Sequence, residues 1–124
     1  MTEERLKTWL QNLETIKTQI HAWNKCLDYE NEKDGLQQKS KKKSLQVELL
    51  TEGLRILDPK ERFVIEIHLI SKKTWEKTCE LYEDKWGIQN GRSIRTLKRM
   101  QNRGLKKLLE FIKKSELEDI FADL

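Results

Sequence analysis

The sequence predicts an all-α protein, a long N-terminal helix followed by a C-terminal helix-turn-helix domain, and three observations predict it. Near the start, Leu6, Trp9, Leu13, Ile16, Ile20, Trp23 and Leu27 are spaced alternately by three and four, the pattern of a helix with one apolar seam. Near the end, the stretch 93–114, with Arg92 just before it, splits into two faces when turned at about 100° per residue. Ile94, Leu97, Leu105, Leu108 and Ile112 fall on one side, and Arg92, Arg95, Thr96, Arg99, Arg103 and Lys106 on the other. A single Pro, five Gly and 37% charged residues favour long solvated helices over sheet, and no stretch reads as a strand.

A chain of 124 residues is one domain, or one domain with an appendage, and is long enough to bury a core without staples. The net charge of +4 is unevenly placed: residues 85–114 hold ten Lys and Arg against one Glu, and residues 115–124 hold four acids and no base. Positive charge concentrated on one element points to a polyanion partner; the plainer alternative is a solvated face. Cys26 and Cys79 follow no metal or redox spacing and are expected as reduced thiols of a cytoplasmic protein. The start, MTEERLKTWL, has no apolar signal core, and no run is apolar enough to span a bilayer. His21 and His68 stand on different helices, no acidic pair has a base or ligand set beside it, and no glycine-rich loop follows a strand. The chain is therefore expected to be no enzyme, with no catalytic residue, no metal and no cofactor.

The first helix is expected over 3–27. The positions flanking its seam, Leu10, Lys17, Asn24, Asn12, Gln19 and Cys26, offer no complementary charges. The seam therefore serves either intramolecular packing or a homodimer through Leu6, Leu13, Ile16, Ile20 and Trp23. Residues 28–43 are polar and read as a linker that closes an N-terminal unit of 1–43. Their four Lys between 39 and 43 are either solvated or touch phosphate. Ser44 is expected to cap a second helix, to Leu57, that opens a unit of 44–124. Val47, Leu50, Leu54 and Leu57 line one side of it and Leu45, Leu49 and Ile56 the other, which predicts burial on both faces.

Asp58-Pro59 ends that helix and starts a third over 59–70, with Asp58 and Glu61 as a capping box. Thr74 is expected to cap a fourth helix, 75–85, with Trp75, Cys79 and Tyr82 inward. WGIQNGR (86–92) reads as a turn, within which Trp86 could stack on a base. Ser93 caps the basic helix. The acidic tail keeps Leu117, Ile120 and Phe121, enough for one amphipathic turn packed back on the domain.

Helix, helix, turn and basic helix over 59–114 make a helix-turn-helix order. The apolar spine would hold the basic face in register, the helix N-terminus would present free amides to phosphate, and Arg95 and Arg99 can each make two hydrogen bonds to a guanine edge. ERFVIEIHLI (61–70) resembles the first helix of sigma factor region four, TWEKTCELY (74–82) its second, and SIRTLKR (93–99), with Arg103, Leu105, Lys107 and Leu108, its recognition helix. The order of these motifs is similar to that of phage and prophage transcriptional regulators of the ArpU and RinA type. The resemblance implies a sequence-specific activator of phage late or lysis genes that binds double-stranded DNA, with RNA polymerase as a further partner. It implies that Ser93, Arg95, Thr96 and Arg99 face the DNA, and that Arg92, Arg103 and Lys106 contact the backbone. The departure is the approach: ten residues, Glu83 to Arg92, separate Tyr82 from Ser93, where a usual turn has about 3–4. Two other functions compete. One is an interaction module that touches no DNA and docks on RNA polymerase or a coiled-coil partner. The other is a packaging protein like a terminase small subunit, whose helix-turn-helix comes first rather than last.

Overall fold

The computed structural model describes residues 1–29 and 34–122, and over these the protein is all-α, with six α-helices and no strand. They are α1 (Glu3–Gln11), α2 (Leu13–Tyr29), α3 (Asp34–Arg55), α4 (Pro59–Val64), α5 (Trp75–Trp86) and α6 (Ile94–Lys114). α4 runs on into a wider π-helical stretch, Ile65–Ile70, whose end is marked by a bond from the Ser71 N–H to the Glu66 carbonyl at 2.8 Å. Short 3₁₀ turns follow α5 at Ile88–Asn90 and α6 at Glu118–Phe121.

The expected first helix is two. Thr2 caps α1 by accepting from the Arg5 N–H, and the helix breaks at Asn12. There the Asn12 side-chain amide donates to the Thr8 carbonyl at 2.9 Å, so a polar side chain competes for a backbone acceptor of the ladder. The seam survives the break because Leu13 and Ile16 continue the buried face begun by Leu6, Trp9 and Leu10.

The expected linker is also corrected. Residues 30–33 lie outside the described residues, but 34–43 are helical and continuous with the expected second helix, so Ser44 lies inside α3. The Gln- and Lys-rich stretch is polar, yet those residues are good helix formers and no Pro interrupts them. α2 and α3 pack against each other, and the Ser40 hydroxyl donates to the Asn24 side-chain oxygen at 2.6 Å across their interface. α3 is not buried on both faces. Leu50, Leu54 and Leu57 are in the core, whereas Leu45 is 40% and Ile56 62% exposed.

One main core joins the N-terminal helices to the C-terminal ones. Leu6, Trp9, Leu10, Leu13 and Ile16 meet Leu50, Leu54, Leu57, Ile65, Leu69, Leu105, Leu108, Ile112 and Phe121. Leu6, Leu13 and Ile16, three of the five residues of the expected dimer seam, are thus occupied by their own chain. Ile20 and Trp23 are half-buried. The tail packs back: Phe121 meets Trp9 edge-on at 6.0 Å between ring centres, and the Gln46 side-chain amide donates to the Ile120 carbonyl. Gln46 also accepts the Trp9 indole N–H at 3.0 Å. A smaller cluster of Val64, Tyr82, Leu97 and Met100 lies under Phe63, Trp75, Cys79 and Trp86. It is this cluster that seats the first half of α6.

Candidate nucleic-acid interface

The site begins with a held helix. Leu97, Leu105, Leu108 and Ile112 of α6 are 0–2% exposed. Burying four such side chains contributes roughly 6–12 kcal/mol as an upper bound, which fixes the rotation of the helix about its axis. Gly104 adds a close approach: a Cβ there would stand 2.6 Å from Ile65 Cδ1, so α6 lies tight against the π-helical stretch. The opposite face then has one orientation. Arg92, Arg95, Arg99, Arg103 and Lys106 are all exposed and Thr96 is half-buried. At about 100° per residue, the side chains from Arg95 round to Lys107 fall within an arc of about 120°.

The start of α6 is capped as expected. Ser93 Oγ accepts the Thr96 N–H at 3.2 Å and lies 3.0 Å from Thr96 Oγ1. These two expected DNA-facing hydroxyls are therefore engaged with each other at the cap. The first turn holds no acid, so nothing within it opposes the positive end of the helix dipole.

The approach from Tyr82 is compact. α5 runs on to Trp86, and Gly87 then breaks it with a φ of 91°, a left-handed backbone suited to glycine. The remaining stretch is tied down. The Asn90 side-chain amide donates to the Trp86 carbonyl at 2.8 Å, and Cys79 Sγ donates to the Arg92 carbonyl at 3.7 Å. Arg92 Nη1 donates to the Asn90 and Gly91 carbonyls at 2.9 and 3.1 Å. Gly91 presses so close to Glu83 that a Cβ would stand 2.7 Å from the carboxylate. Trp86 is no free platform, because its ring meets Tyr82 at 4.7 Å and Phe63 at 4.9 Å.

Two concavities divide the expected residues. Arg99, Asn102, Arg103 and Lys106 line a shallow one along the outer face of α6. Arg92, Thr96 and Arg103 line another, of about 300 Å³, together with Met100 and Lys107 of α6, Asp58, Lys60 and Glu61 at the start of α4, and Tyr82. Arg103 belongs to both. Arg95 lines neither and stands exposed in the first turn. Lys98 turns away, its ammonium 5.8 Å from the centre of the Trp75 ring.

The structure adds Lys60, Tyr82 and Lys107 to the expected set. Lys107 was visible in the sequence as the residue one helical turn after Arg103, but its partner was not. Glu61 does not complete a capping box with Asp58. It is 5% exposed and accepts from Lys107 Nζ at 2.7 Å, while Asp58 alone accepts the Lys60 N–H at 2.9 Å. Among the described residues no helix is long and apolar enough to cross a membrane. No protein-family model, curated protein or solved structure matches the chain.

Proposed function

We propose that the protein is a sequence-specific, DNA-binding transcription regulator of the cytoplasm, in which α5 and α6 form a helix-turn-helix and α6 enters the major groove. The observation that carries this reading is the arc of Arg95, Arg99, Arg103 and Lys106, all exposed on a helix whose other face is sealed into the core. A rigid helix presenting arginines along one edge is what direct readout of guanine requires. Arg95 and Arg99 read base edges, and Arg92, Arg103 and Lys106 hold the backbone. The likeness of 61–70, 74–82 and 93–108 to sigma factor region four motivates the narrower reading, an activator of phage late or lysis genes of the ArpU and RinA type with RNA polymerase as a second partner.

Selection of bound duplexes from a random pool, followed by titration of two variants, tests this. Arg99→Ala costs about 1–3 kcal/mol on the selected site and relaxes the preference there. Lys106→Ala weakens all duplexes alike and lowers the salt slope by about one. If neither change alters binding to any duplex at low salt, the reading fails.

A second reading, an interaction module that touches no DNA, draws on Ile56, which is exposed beside Phe111 and lines a shallow concavity with it. Titration with random duplex at about 50 mM salt separates the two, since non-specific DNA binding at micromolar strength belongs only to the first.

A further inference from the structure

We infer that the concavity between the start of α4 and the middle of α6 is a phosphate seat, occupied by a backbone phosphodiester of the bound duplex. This rests on the DNA reading above and adds a residue that reading does not contain, the Tyr82 hydroxyl. Three basic side chains reach the hollow from three parts of the chain: Lys60 from α4, Arg92 from the connection and Arg103 from α6. Its carboxylates are already engaged, Glu61 with Lys107 at 2.7 Å and Asp58 in capping α4. The wall is therefore left cationic, and its volume of about 300 Å³ admits a tetrahedral oxyanion.

The second, independent observation is Tyr82. Its side chain is 1% exposed and forms part of this wall, yet its hydroxyl has no hydrogen-bond partner. A buried hydroxyl left unpaired is costly, and the hollow it helps to line holds four basic side chains against two carboxylates that are already engaged, so a bound acceptor would complete it. A phosphate oxygen supplies one, and Tyr82 O–H donates to it while Arg103 and Lys60 neutralise the charge. Because Arg103 also lines the outer groove with Arg99 and Lys106, the seat lies beside the edge proposed to meet DNA. The seated phosphate would set how deeply α6 enters the groove without reading any base.

The test uses the full chain and Tyr82→Phe, which keeps the ring and its contacts with Phe63 and Trp86. Removing an unpartnered hydroxyl leaves the unliganded protein as stable as before, or more so. Two probes are read: inorganic phosphate, by saturable amide shifts around Tyr82, Arg92 and Arg103 against chloride at matched ionic strength, and labelled duplexes. Expected are phosphate shifts that Tyr82→Phe and Arg103→Gln abolish, and roughly tenfold weaker binding of Tyr82→Phe to every duplex. The salt slope stays unchanged, because the phenol is uncharged. Wild-type duplex affinity in Tyr82→Phe, with no phosphate shifts in the parent, overturns the seat and leaves the DNA reading standing. Saturable phosphate shifts with no duplex binding keep the seat and overturn DNA as its source.

Discussion

Gln46 ties three parts of the chain together, and removing its amide shows how firmly the N-terminal helices belong to the C-terminal core. It lies in α3 at 0% exposure, accepts the Trp9 indole N–H at 3.0 Å and donates to the Ile120 carbonyl. Gln46→Met keeps the length of the side chain and removes both bonds. Trp9 is 1% exposed, so its N–H is left without water, at a cost of about 1–3 kcal/mol. The Ile120 carbonyl is in a half-buried residue and recovers part of its bond from solvent. The expected loss is about 2–3 kcal/mol in all. With a urea slope of about 1–3 kcal/mol per molar, the unfolding midpoint falls by about 0.7–3 M with the slope unchanged. A cycle with Trp9→Phe, which removes the N–H together with part of the buried ring, separates the bond from the cavity as a coupling of about 1 kcal/mol. Additive single changes, or a midpoint that moves by less than about 0.3 M, would mean that Gln46 does not bind Trp9 and the tail together.

Two further outcomes follow from close approach and from burial. Gly53→Ala places a Cβ 2.9 Å from both Leu108 Cδ2 and Phe111 Cδ1, and overpacking of about 1–3 kcal/mol outweighs the roughly 1 kcal/mol of helix propensity gained. Gly35→Ala, with nothing within 4 Å, raises stability by about 0.5–1 kcal/mol, and chemical denaturation of the pair separates the two cases. His68 stacks on Trp75 at 3.6 Å, and burial lowers its pKa below 6.5, opposed by its bond to the Lys73 carbonyl and assisted by Lys7 and Lys98. Below pH 6.5 the unfolded chain takes up a proton that folded His68 resists. The stability involved is therefore fully present above that pH and is lost as pH falls through the folded value. Thermal melts from pH 7.5 to pH 5 should show this component in the parent and not in His68→Gln. An equal slope in both proteins would remove His68 as the cause.

What was legible in the sequence is what depends on neighbours in the chain. Asp58, Thr74 and Ser93 each cap a helix, because a short polar side chain followed by a helical pattern is a local signal. The two faces of α6 were legible for the same reason, since a repeat near 3.6 residues needs only one helix to show itself. The break at Asn12 was hidden because the apolar spacing runs straight across it. The helical state of 34–43 was hidden because polar residues suit a loop and a solvated helix equally. Contacts between distant positions left no trace. Glu61 and Lys107 pair across 46 positions, and Gln46 meets Trp9 across 37. At the site, the exposed basic residues could be named in advance, but their division between an outer groove and a hollow against α4 could not. That division depends on Lys60 and Tyr82, which reach α6 only through the tertiary fold.

The exposed arc of α6 is proposed to hold duplex DNA, and the salt dependence of that binding is decisive for it. Anisotropy of a labelled duplex taken from the selected pool, followed from about 50 to 200 mM salt, reads the number of phosphates neutralised. Arg92, Arg103, Lys106 and Lys60 predict a slope of log affinity against log salt of about −3 to −4, reduced by about one in Lys106→Ala. Failure to retain any duplex at about 50 mM salt, or an affinity indifferent to salt, would contradict it.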